Sequence, residues 1–497
     1  MKIKYKLLLI ITTIYIYLPV VLFLCGWTKT LIALVSLVIS GVGVVFMVKD
    51  YATDSEDKDY YISIPMLIIT AAIVAAVCIL IGFGGIYPQS GDWFKHNAVL
   101  RDLTIERWPV YYTVYEDSML TYYLGQYMVP AIIGKIFGSF EVSNVMMAAW
   151  GMIGLYLAYL HLIRVSKADK NWKKLIALLF MFFFCGALLL AQEFISGIYG
   201  DEMYSSGSYH WVLIRDIMLQ YRSNLIMLRW VYPQVIVPWM VVMLLSEHRE
   251  KVKYYVLLIL PTIIFGTFSF GALAGIAIIL AIVQLLNRNI RIRDIFSLFN
   301  ILPAISLGTV FFFYFLGFMQ VEKPYSSAFR WQTYPGLYIG VYISFCLFMF
   351  GIYALMVAKE NCRNPLFYIN IAVLLLLPWT HMGLCNDIVM SGSIPSLFYL
   401  MILTLQVLFK DEEKTSLGIR KGIIICIFLI GCWYPARELS DNIHGNSTGM
   451  DLYDGYVSMK WFSDRSLTDV TEDLLYNYYT YDLDGKVFYE HIARKKM

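Results

Sequence analysis

Long apolar runs separated by short polar connections fill most of the chain. They fall at about residues 7–25, 30–48, 62–83, 142–163, 175–191, 223–245, 254–270, 271–286, 295–318, 336–358, 365–380, 392–409 and 421–435. A helix rises about 1.5 Å per residue and a bilayer core is about 30 Å thick, so runs of this length suit crossing it. The pattern predicts an all-α polytopic membrane protein with about thirteen transmembrane helices.

One stretch departs from it. Residues 84–141 are polar and aromatic, and they set Asp92, His96 and Asp102 beside the membrane between the third and fourth runs. Within this stretch, residues 120–138 are apolar enough to resemble a span. Counting them as one would place every later basic loop opposite Lys2, Lys4 and Lys6, against the positive-inside rule. Gly125, Gln126, Pro130 and Lys135 are also unusual in a lipid-facing span. A surface or re-entrant helix is therefore expected there.

The N-terminus and the basic loops 164–174, 249–253, 288–293, 359–363 and 410–421 then face the cytoplasm. The outer face receives residues 84–141, 192–222, 319–335 and 381–391, and the tail 436–497. Four regions result: N-terminal transmembrane helices over 1–83, an outer loop of catalytic type with juxtamembrane helices over 84–141, a transmembrane bundle over 142–435, and a small extracytoplasmic cap over 436–497. The cap holds a candidate strand at 485–492.

Composition sharpens the reading. Hydrophobic residues make up 59% and charged ones 15%, against about 25% charged in soluble chains, so lipid is the main solvent. A net charge of +3, spread along the chain, gives no footprint for nucleic acid. The eight cysteines show neither CxxC nor Cys/His spacing and read as packing residues. The first run is long and lacks a small-residue cleavage site, as expected of an uncleaved span.

Three constellations carry candidate chemistry. In GDWFKHN, a helix starting at Asp92 would bring Asp92, Lys95, His96, Asp102 and Glu106 within about a third of its circumference. A carboxylate beside an imidazole at the membrane edge suits proton abstraction from a hydroxyl; the plainer role for Asp92 is a helix N-cap. In YRSNLIMLRW, Arg222 and Arg229 sit at or just inside the outer end of a span, placed to grip a phosphate with a bidentate fork or simply to snorkel. In HMGLCNDIVMSGSIPSLF, Asn386 and Asp387 interrupt an apolar run that restarts at Ser393 and Pro395, a helix N-terminus able to meet an anion or merely a capped end. Arg330, next to Trp331, adds a cation to an outer loop. Glu193, Asp201, Glu202 and Asp216 could bind a sugar or a divalent Mg²⁺ or Mn²⁺ ion, or be a solvated loop; no metal ligand set is assigned. Asp482 and Asp484 before Gly485 read as a turn.

Together these motifs resemble the GT-C superfamily of integral membrane glycosyltransferases. The likeness lies in the acidic GDWFKHN early in a large first outer loop, the juxtamembrane LTYYLGQYMVPAIIGKIFG, and the NDIVMSGSIPSLF break. Ser391 stands where relatives often carry an arginine. The resemblance implies inverting transfer of a sugar from a polyprenyl-phosphate carrier to a glycan, lipid or protein acceptor on the outer face, with Asp92 as base. No nucleotide-sugar site is expected, since neither GxGxxG nor a soluble α/β domain is present. A polysaccharide polymerase or ligase would use similar outer loops. A transporter or flippase would instead place its charges near mid-membrane, often in paired halves.

Overall fold

The computed structural model describes residues 1–53, 59–112, 118–200, 210–214, 217–319, 335–382, 386–411, 415–444, 478–480 and 483–495. All thirteen apolar runs are helical, but they are not thirteen full spans. Among the described residues eight helices are long and apolar enough to cross a membrane, or ten if each of two bent pairs is one span. The chain is thus an all-α multi-pass membrane protein with eight to ten candidate crossings.

The shortfall has physical causes. Ile64–Leu80 has 17 residues, about 26 Å of helix. Val252–Ile264 tightens into 3-10 turns around Pro261, and Pro365–Trp379 ends in a 3-10 turn at Pro378. Asn171–Phe183 and Leu188–Tyr199 meet at 45°, while Asn224–Trp230 and Tyr232–Glu247 meet at 119°. The sharper break lies just before Pro233, which has no amide proton for the Arg229 carbonyl four residues back. The Ser90 hydroxyl and Trp93 Nε1 donate to that carbonyl instead, at 3.0 and 2.8 Å.

The helix expected to restart at Ser393 begins earlier, as Asp387–Leu408. Asn386 turns the chain with a left-handed φ of 54°, and its amide nitrogen donates to the Met218 carbonyl at 3.0 Å. Pro395 therefore lies inside the helix. The Ser391 carbonyl, which it leaves unserved, accepts the Ser269 hydroxyl at 2.9 Å.

Residues 120–138 do not cross the bundle. Their helix, Gly125–Phe137, is 13 residues long, about 20 Å. At its start, Gln126 Nε2 donates to the Tyr15 hydroxyl, midway along the helix Tyr5–Trp27. At its end, Lys135 donates to the Glu106 carbonyl and lies over Trp108, which packs on Trp27. The strand before it, Ser118–Leu120, pairs with Tyr111–Tyr112, and the Tyr111 hydroxyl donates to the Arg494 carbonyl beside Trp27. Both ends of the segment are thus at the Trp27 end. Gly138, at φ 64°, reverses the chain into Phe140–Val165. Close approach of these two helices requires Gly134, whose added Cβ would stand 1.7 Å from Ser143 Oγ.

The opposite end gathers the basic loops. Arg164 pairs with Glu247 there, Lys251 and Lys253 with Asp50, Lys173 with Asp169 and Asp411, and Arg420 with Glu360.

The C-terminal region docks on the early loop. Tyr479–Thr480 adds an antiparallel strand to Ser118–Leu120, in the register Leu120↔Tyr479 and Met119↔Thr480. Residues 485–492 are not the expected strand: Phe488–Ile492 is a π-helical turn, followed by a single bridge between Thr28 and Ala493. That segment packs through its apolar side chains, Phe488 against Tyr314.

Candidate functional site

The helix Trp93–Ile105 forms at the Trp27 end and supports the site. Its start is anchored by Trp93, whose indole donates to the Arg229 carbonyl and stacks on Tyr232 at 4.8 Å. Asp92 precedes it without capping it: its carboxylate makes no hydrogen bond to the first-turn amides. The carboxylate instead meets Lys95 Nζ at 2.9 Å, with the Asp92 side chain 33% exposed. Burial would raise the Asp92 carboxyl, but Lys95 first, then His96 and Arg222, outweigh it and hold it below the ordinary carboxylate range. Burial would lower the Lys95 ammonium, but Tyr478 and Asp92 raise it, so it stays charged.

Two distant segments complete the cluster. Arg222 follows the hairpin of Val212–Ile214 and Ile217–Leu219; its Nε donates to Gln220 Oε1 at 2.8 Å and its guanidinium lies 5.9 Å from the Trp211 ring. It acts electrostatically on Asp92, Asp387, Glu438 and His210. Asp387 heads its helix within the electrostatic reach of Asp92, Lys95 and Arg222. Tyr123 and Tyr478 border the same charges. Two acidic and two basic side chains, drawn from three stretches of the chain, share one site. Its partial exposure at Asp92 leaves room for a substrate hydroxyl.

The other candidates take different positions. His96 is buried, with Nε2 3.2 Å from the Trp230 carbonyl and Nδ1 accepting the Tyr127 hydroxyl. Burial pushes its pKa down to about 4. The structure thus corrects the catalytic role expected of His96: a neutral ring with both nitrogens engaged fastens the broken helix to Trp93–Ile105. Asp102, at 0% exposure, accepts the Tyr112 hydroxyl at 2.8 Å and pairs with Arg101. It supports the small sheet in place of the substrate contact expected. Asn386 likewise serves its own turn.

Arg229 is not the bare cation expected at a span end. Its Nε stands 3.3 Å from Glu438 Oε1, and Glu438 also accepts Trp230 Nε1 at 2.6 Å. The attraction of Arg229 for a phosphate is largely cancelled by the repulsion of Glu438 beside it. Arg330, Asp201, Glu202 and Asp216 lie outside the described residues, and Glu193 is exposed on Leu188–Tyr199. Among the described residues no three His, Cys, Asp or Glu side chains converge.

Glu438, His210, Tyr123 and Tyr478 were not legible as site residues. Glu438 carried one usable signal: the last apolar run continues into WYPARELSDNI, which folds as the helix Trp433–Ile443 with Glu438 on its buried side. No protein-family model, curated protein or solved structure matches the chain.

Proposed function

We propose that the chain is a GT-C-type membrane glycosyltransferase that moves a sugar from a polyprenyl-phosphate carrier to a glycan, lipid or protein acceptor. The N-terminus and basic loops face the cytoplasm of the cell membrane, and the site and C-terminus face outward. The gathering of basic loops at the end opposite the site supports this orientation.

One observation carries the reading: Asp92 is paired with Lys95, partly exposed, released from capping and held below the ordinary carboxylate range, with Arg222 in electrostatic reach. In the reaction Asp92 takes the proton of the acceptor hydroxyl as its oxygen attacks the anomeric carbon. The carbon–oxygen bond to the carrier phosphate breaks, and the electron pair leaves on polyprenyl phosphate. Lys95 keeps Asp92 ionised, and Arg222 offsets the negative charge on the leaving group, a role that passes to it from Arg229 because Glu438 already neutralises the latter. Attack from the face opposite the phosphate inverts the anomeric centre.

A polymerase or ligase would share this chemistry and differ only in its acceptor. A transporter or flippase is favoured by one feature, the 119° break after Trp230. The test is to incubate the purified chain with polyprenyl-phosphate sugars and nucleotide sugars in parallel. Release of polyprenyl phosphate coupled to a new glycosidic bond supports the proposal; turnover of nucleotide sugars alone refutes it.

A further inference from the structure

One buried ion pair at this end is chemically incomplete. The side chains of Arg229 and Glu438 are 3% and 7% exposed, and their 3.3 Å contact brings the charges together without hydrogen-bond alignment. Arg229 Nε and Nη1 and Glu438 Oε2 consequently have no hydrogen-bond partner among the described residues; His210 Nε2 faces Glu438 Oε2 at 3.8 Å, beyond hydrogen-bond distance. Burying a polar group unsatisfied is costly, and native buried polar groups are as a rule paired. A pair serving only to staple Asn224–Trp230 to Trp433–Ile443 would be expected to close into a bidentate fork, as Arg164 and Glu247 do.

The missing partner must accept from Arg229 and donate to Glu438. A fully ionised phosphate fails the second requirement and is repelled by the carboxylate. Neighbouring hydroxyls on a sugar ring meet both. The surroundings suit such a ring: Trp230 and Trp211, both half-buried, flank His210 at ring distances of 5.1 and 5.4 Å and offer flat apolar faces.

We propose that Arg229 and Glu438 form a sugar-hydroxyl subsite, with Trp230 and Trp211 bordering the ring. A sugar hydroxyl donates to Glu438 Oε2 while it or its neighbour accepts from Arg229 Nη1. Arg222, which acts on both Glu438 and Asp92, links this subsite to the reacting carboxylate. The inference rests on the transferase reading for the origin of the sugar, but not for its binding.

The test is saturation-transfer NMR on the purified full chain in detergent. The probes are the methyl glycosides of glucose, galactose, mannose and N-acetylglucosamine, with inorganic phosphate alongside. At least one glycoside is expected to bind, and Glu438→Gln to weaken it about ten- to a hundredfold, the effect of losing a charge-assisted hydrogen bond. Arg229→Lys is the second variant should Glu438→Gln fold poorly, and is expected to weaken binding in the same direction. No glycoside binding, binding unchanged in both folded variants, or binding of phosphate alone overturns the subsite. A parallel transfer assay separates the two proposals. Unchanged donor KM in Glu438→Gln removes the subsite and leaves the transferase, whereas Glu438-dependent glycoside binding without any transfer removes the transferase and leaves the subsite.

Discussion

Replacing Asp92 with asparagine separates chemistry from architecture. The carboxylate caps no helix, and its contact with Lys95 is a partly exposed pair three residues apart. Such pairs contribute about 0.2–1 kcal/mol, so Asp92→Asn is expected to lower stability by no more than about 1 kcal/mol. The amide cannot take a proton from the acceptor hydroxyl. Loss of a positioned general base slows reactions by about 10² to 10⁴, or roughly 3–5 kcal/mol of barrier. Initial rates with a polyprenyl-phosphate sugar, measured beside thermal unfolding, read both quantities. The pH profile adds a check. A carboxyl held below the ordinary range of about 4 stays ionised as the pH falls to that value, so the acid limb of the wild-type rate should lie below it. The stability supplied by the pair follows the same sign: it is present above the unfolded pKa and lost as pH drops through the lower folded one. Near-normal turnover in a well-folded Asp92→Asn variant would rule out Asp92 as the base and reduce it to a counter-ion for Lys95.

Three further outcomes are expected. His96→Ala should lower the melting temperature, because the Tyr127 hydroxyl and Trp230 carbonyl each lose a buried partner at roughly 1–3 kcal/mol apiece; full rate loss with unchanged melting would instead restore a catalytic His96. Wild-type protein should lose roughly 3 kcal/mol through His96 as pH falls from 6.5 to about 4, since the unfolded ring gains a proton that the folded one refuses; His96→Phe, with no titrating ring, should lack that component in pH-dependent unfolding. In a cysteine-free background, Glu106→Cys and Glu141→Cys should both react with an impermeant thiol reagent from the side opposite Lys170→Cys; labelling of Glu106 and Glu141 from different sides would make residues 120–138 a true crossing.

The sequence makes the apolar runs legible because burial in lipid demands length and composition, which a single chain displays directly. It hides where those runs break. Pro233 and Pro395 look alike in sequence, yet one ends a helix and the other lies within one. The difference is which neighbour serves the orphaned carbonyl: Ser90 and Trp93 for Arg229, Ser269 for Ser391. For residues 120–138 the sequence offered charge bookkeeping and Gly125, Gln126 and Pro130 as reasons against a span, and the structure gives a helix of 13 residues there. In the site, Asp92, Asp387 and Arg222 were visible as acids and a base beside apolar runs. Their convergence was not, since it depends on tertiary packing across almost three hundred residues. His96 misled for a related reason: local spacing placed it near Asp92, but its hydrogen bonds were fixed by Tyr127 and Trp230 from elsewhere in the chain.

Bond formation at this site and passage of a sugar across the membrane are separated by one measurement. Sealed vesicles containing the purified chain, loaded with an acceptor and a polyprenyl-phosphate radiolabelled sugar, allow covalent product and transmembrane sugar flux to be counted in the same sample. Labelled glycoside is expected in step with released polyprenyl phosphate, slowed about 10²- to 10⁴-fold by Asp92→Asn, with no flux of free sugar. Flux without a covalent product, surviving Asp92→Asn, would contradict the proposed transfer.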